Sequence, residues 1–230
     1  MKKSGLGVVL ACFAFALVVG LVGCGGSGTS ASSPSSSGDA SNSSASSSSE
    51  GSGEAEYNRA VDLFNEGKYY SAKAAFEKSE YGDWEKRAAA CVQPLPESGE
   101  LYHDANMTSD KMKLIFTVND ESADKGMYIS VFTKDNKLVE TVFVKGSGSV
   151  ETWLPGGEYY IKDSAGTEWY GEDEQFGPDG HYETMVFNEV ENDRYLTVLE
   201  EGIQYAITIN GTTGVGQGVD SEAGGWEDRA

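Results

Sequence analysis

The residues best equipped for chemistry lie between Asp163 and His181. This stretch carries Trp169-Tyr170-Gly171-Glu172 and then Phe176-Gly177-Pro178-Asp179-Gly180, so bulky aromatics are interleaved with carboxylates and glycines. Three uses fit that composition. In the first, Trp169 and Phe176 pin a long loop onto the body of a domain, as large aromatic side chains often do. In the second, Trp169 and Tyr170 form an exposed platform for a sugar or peptide, with nearby carboxylates accepting hydroxyl hydrogen bonds. In the third, Asp163, Glu172, Asp173, Glu174 and Asp179 gather around Ca²⁺, which takes several oxygen ligands, although their spacing fits no EF-hand. Two of these carboxylates facing each other would also suit glycoside hydrolysis. The structural use is preferred, and Trp169, Tyr170, Glu172, Phe176 and Asp179 stand as the candidate binding loop.

Elsewhere the search for catalytic constellations returns blanks. The chain has no Gly-x-Ser-x-Gly elbow, no His-Glu-x-x-His pair, no phosphate-binding loop and no dinucleotide fingerprint. No catalytic residue, metal ligand or cofactor is assigned. The two histidines, His103 in a connecting segment and His181 in a glycine-rich loop, read as solvated loop residues. The formal net charge of −20 repels phosphate backbones, which argues against a nucleic-acid partner.

The cysteines point to an address. Lys2 and Lys3 precede an apolar run from Leu6 to Val22, the charged and hydrophobic regions of a secretory signal. The run ends in Leu21-Val22-Gly23-Cys24, which resembles the lipobox of bacterial lipoproteins. That resemblance implies cleavage before Cys24 and lipid on its thiol, so residues 1–23 are read as the signal. Two acyl chains, at about 0.8 kcal/mol per buried methylene, give stable attachment where one does not. The expected location is extracytoplasmic, lipid-anchored to a bacterial cell membrane, and the expected partners are that membrane and an envelope protein or glycan. Cys12 leaves with the signal, so Cys91 alone remains free. It is read as a small buried hydrophobe.

The elements follow from periodicity. Residues 24–53 are mostly Ser, Gly and Ala and read as a disordered tether, about 30 Å root-mean-square for a flexible coil. Residues 54–93 read as helices. Ala60, Leu63 and Phe64 share one face, Gly67 marks a turn, and Ala72, Ala75, Phe76 and Ser79 share a second face. A third helix fits Trp84–Cys91 before Pro94 and Pro96. The run from Leu63 to Ala72, followed by Phe76, resembles the middle of a tetratricopeptide repeat. The resemblance implies that Gly67 allows the turn, Tyr69 packs over it and Ala72 permits close helix approach. Residues 94–106 read as a linker.

Across residues 107–210 the period changes to two: Met112, Leu114, Phe116 and Val118 alternate, as do Val150, Thr152 and Leu154, then Tyr159 and Ile161, and Tyr205, Ile207 and Ile209. Tyr195 to Leu199 continue the series. Short strands at this spacing argue a small antiparallel β-sandwich. Leu154-Pro155-Gly156-Gly157-Glu158-Tyr159-Tyr160-Ile161 resembles the turn and strand of transthyretin-like, carboxypeptidase-regulatory-type sandwiches, which implies a fold and no activity. Residues 211–230 read as a disordered tail. The expected fold class is mainly β with a small α part, a helical hairpin followed by a sandwich. The expected function is a non-catalytic interaction or scaffolding module of the cell envelope. Recognition of a glycan or peptide at the Trp169–Phe176 loop is the alternative, and an envelope hydrolase comes third.

Overall fold

The computed structural model describes residues 47–108, 112–120, 122–187, 196–198, 204–210 and 220–229. The segments read as signal and tether, with Cys24, lie outside the described residues up to residue 46, as do Tyr195 and Leu199. The protein is mainly β with a small helical part. No helix among the described residues is long and apolar enough to cross a membrane.

Among the described residues three helices come first: α1 Ser47–Asn65, α2 Tyr69–Ser79 and α3 Trp84–Cys91. The first begins inside the segment read as tether, because a helix needs no apolar face at its free end. Its other end is closed by a reciprocal pair of backbone bonds. Lys68 N–H donates to Leu63 O at 3.0 Å and Gly67 N–H to Phe64 O at 3.1 Å. That pattern needs a left-handed residue just past the helix, and Gly67 supplies it at φ +80°. Ala60, Ala72, Ala75 and Ala88 are buried around Phe76 and Cys91, and these small side chains let three short helices meet in one core. Ala72, Ala75, Phe76 and Ser79 are the buried residues of α2.

Ten strands follow. The larger sheet runs in the order β1 (Gly99–His103), β4 (Leu138–Lys145), β3 (Gly126–Thr133), β6 (Gly157–Gly166), β7 (His181–Val186) and β10 (Asp220–Gly224), with β8 (Leu196–Val198) also pairing β6. The smaller sheet is β5 (Gly148–Leu154), β2 (Met112–Asn119) and β9 (Gln204–Asn210). Among the described residues every pairing is antiparallel except β2 with β9, which is parallel. The intersheet core takes Met112, Leu114, Phe116 and Val118 from β2, Ile129 and Val131 from β3, Val142 and Val144 from β4, and Ile207 and Ile209 from β9.

Two connections are not the hairpins their sequences suggest. Leu154-Pro155-Gly156-Gly157 carries the chain from the small sheet to the large one, so β5 and β6 do not pair. Pro155 has no N–H to extend a ladder, and Tyr159 Oη closes the bend by donating to Pro155 O at 2.9 Å. On the other side of β5, Lys145-Gly146-Ser147 crosses back, with Gly146 at φ +64°. β5 is thus a short strand between two arches, which stacks the sheets.

Two segments read as unstructured hold strands. The linker 94–106 contains β1, paired to β4 with a register shift between Glu100 and Tyr102. Its five residues are too few, and too polar at Glu100 and His103, to show a period. The tail 211–230 contains β10, paired along β7, and a turn of 3-10 helix at Trp226–Asp228. Residues 211–219 lie outside the described residues.

Candidate functional site

The Trp169–Asp179 segment crosses the outer face of the large sheet, where β3 is buried at every position but Thr133. Burial on both faces explains why β3 lacks the alternation of β2. Trp169 is 4% exposed and lies among Tyr128, Phe143 and Phe176, with ring centroids 5.1–5.4 Å from it. Phe176 packs against the end of β6: a Cβ on Gly166 would sit 2.7 Å from its ring, so Gly166 is a flat spot in a strand. Tyr170 and Phe176 are 2% and 3% exposed. Glu172 and Asp179 are exposed. The platform reading is therefore corrected: the aromatic faces a ligand would use are consumed by packing.

The same segment holds the helices. α2 starts at Tyr69 with Lys68 before it and no side-chain cap from its own turn. Its first amides are met instead by the buried carboxylate of Glu174. Tyr70 N–H donates to Oε2 at 2.7 Å, Ser71 N–H to Oε1 at 3.3 Å, and Ser71 Oγ to Oε1 at 2.5 Å. A carboxylate there satisfies orphan donors and complements the positive end of the helix dipole. Around it, Gln93 N–H donates to Trp169 O at 2.8 Å. Lys73 Nζ reaches Tyr170 Oη at 3.1 Å and Glu168 at 3.2 Å. Tyr70 sits edge-on to Tyr170 and to Trp226. Trp226 Nε1 donates to Glu174 O at 3.1 Å, which ties the chain end into the same joint. Gly177, at φ +65°, leaves room for the Tyr70 ring, 2.8 Å from where a Cβ would be.

The five carboxylates considered for calcium are not brought together. Glu174 caps α2, and Glu172, Asp173 and Asp179 are exposed. Asp163 sits on β6 opposite Ile129 and Glu183, on the side of the sheet that Ile129 lends to the intersheet core. Burial, with the Glu183 carboxylate adding to it, pushes the Asp163 carboxyl up to about 7.

Sequence reasoning missed the arrangement around His103. Glu140 on β4 is opposite Val131 and fully buried on the intersheet side. His103 on β1 is opposite Glu140, and its Nδ1 lies 2.5 Å from Glu140 Oε2. His103 Nε2 is 3.1 Å from Met107 O. Burial pushes the Glu140 carboxyl up to about 7, and the hydrogen bond to Glu140 raises the imidazole. Glu140 Oε1 and Thr152 Oγ1 are buried without a well-formed hydrogen bond, and the Thr152 hydroxyl only weakly favours the charged carboxylate. The only signal in the sequence was a glutamate among valines, Leu138-Val139-Glu140-Thr141-Val142. His181 is likewise no loop residue: it opens β7 and meets Glu183 Oε1 at 2.7 Å. Cys91 is fully buried, and burial pushes its thiol up to about 11.

No family model, curated protein or solved structure matches this chain. Among the described residues, the large apolar side chains left open to a partner are Tyr81, Tyr102 and Trp153, at 39%, 40% and 45% exposure.

Proposed function

We propose that this protein is a non-catalytic interaction or scaffolding module, carried outside the cytoplasm on a lipid at Cys24 and working in the cell envelope. One observation carries the reading. The segment richest in chemical groups is spent on a joint, with Trp169, Tyr170, Glu174 and Phe176 each no more than 4% exposed. A site for turnover needs reactive groups converging on open space, whereas these converge on a helix end and a sheet face. The alternative of a glycan or peptide held at Trp169 loses its stacking surface by the same burial. The lipobox, the signal and the acidic surface support the address, with the net charge favouring solubility over adhesion to anionic lipid.

Two measurements in intact cells test the proposal. Cys24→Ala should abolish labelling by a fatty-acid probe and leave an uncleaved precursor; undiminished labelling would refute the anchor. A photo-crosslinking residue at Tyr102 or Trp153 should capture discrete envelope proteins or glycans. Absence of adducts, together with hydrolysis of an envelope polymer by the purified chain, would refute the module reading.

A further inference from the structure

We propose that Glu100, His103 and Glu140 form a binding site for one divalent transition-metal ion, of which Zn²⁺ is the best match. One ligand atom from each residue lies within 4.8 Å of the others. All three come from the paired strands β1 and β4, so the backbone ladder fixes their spacing. An imidazole nitrogen and two carboxylate oxygens are a donor set that Zn²⁺ accepts, leaving a fourth position for water.

The hydrogen bonding around His103 orients its ring for such an ion. Met107 O can only accept, so Nε2 carries the hydrogen it receives. In the neutral imidazole Nδ1 is then a lone pair, and it points at Glu140 Oε2, another acceptor. A proton between them satisfies this contact in the empty site, and a metal ion would take the proton's place in the filled one. Tethering the remote nitrogen to a carbonyl is also how metal-bound histidines are commonly oriented.

Glu140 supplies the second reason. It is wholly buried beside Val131, Val139 and Val142, and its Oε1 has no hydrogen bond to match the one that Oε2 makes with His103, the Thr152 hydroxyl favouring its charge only weakly. Buried carboxylates are expected to be paired or to coordinate metal. Once an ion displaces the proton shared by His103 and Glu140, the two carboxylates carry two negative charges, which one divalent ion cancels. Tetrahedral bonds of about 2.0–2.1 Å place ligand atoms roughly 3.3 Å apart. Admitting the ion therefore requires Nδ1 and Oε2 to separate by about an ångström. His103 is 26% exposed and Glu100 is on the surface, so both can move, and the ion has a path from solvent.

The test uses the full chain stripped with chelator and titrated with Zn²⁺ alone. The expected result is saturation at one equivalent with a rise in unfolding temperature. Glu100→Gln and His103→Gln should each weaken binding by more than the roughly 10–100-fold that losing an outer-shell partner costs. Glu100 is exposed, so its variant keeps the fold, and Glu85→Gln on α3 should bind as the parent does. Co²⁺ in the same site should show the d–d absorption of a low-coordinate ion, lost in Glu100→Gln. Weak binding without saturation, binding indifferent to Glu100→Gln and His103→Gln, or Co²⁺–sulfur charge transfer from a cysteine would each overturn the proposal.

Discussion

Trp169 is where a single side chain decides between two accounts of the molecule. It fills the space between Tyr128, Phe143 and Phe176 and has almost no surface in water. Trp169→Ala should therefore cost about 3–5 kcal/mol, the usual penalty for emptying such a volume, read as a lower denaturant midpoint. A loss below about 0.5 kcal/mol, typical of surface positions, would restore the platform. Asp163 offers a test through pH. Its Oδ1 is buried without a partner, and its carboxyl titrates near 7 when folded against 3.8 ordinarily. Between those values the native state holds a proton that the unfolded chain has released, so this group's contribution is greatest below 3.8 and falls until about 7. Asp163→Asn removes the titration. The variant should gain stability over the parent as pH rises through that window, by at most roughly 4 kcal/mol at 1.36 per unit, and the gain should level off above it. A difference that stays flat with pH would refute this.

At the scale of elements, the joint works because a helix lacking its own cap meets a carboxylate from the other end of the chain. Glu174→Gln turns one acceptor into a donor facing amide hydrogens. It should cost about 1–3 kcal/mol, with early loss of hydrogen-exchange protection at Tyr70 and Ser71. Unchanged protection there would show that α2 does not depend on the cap. The helices themselves were legible in sequence, since the buried face of α2 and the limits of α3 rest on local period and on two prolines. Glu174 was not, because nothing near it marks partners 103 and 104 residues away. The segment holding it was visible as a concentration of aromatics and acids; that its aromatics are buried in a joint between two parts depends on what folds over it. β1 was hidden by its length, and β10 and Trp226 by a glycine- and acid-rich composition. His103 was misread because its partner lies across a strand pair that was itself invisible.

At the scale of the molecule, helices and sandwich form a single body through one seam. The helical part alone buries a few alanines, Phe76 and Cys91, too little core for independent stability. The sandwich in turn needs the same segment to cover β3. Neither part is expected to persist without the other. The most direct test is the equilibrium unfolding of the chain from Ser47 onward, followed at once by helical circular dichroism and tryptophan fluorescence. The account predicts coincident transitions with a common midpoint, as two-state behaviour requires. Loss of the helical signal in a separate, earlier transition, with tryptophan emission unchanged, would contradict it.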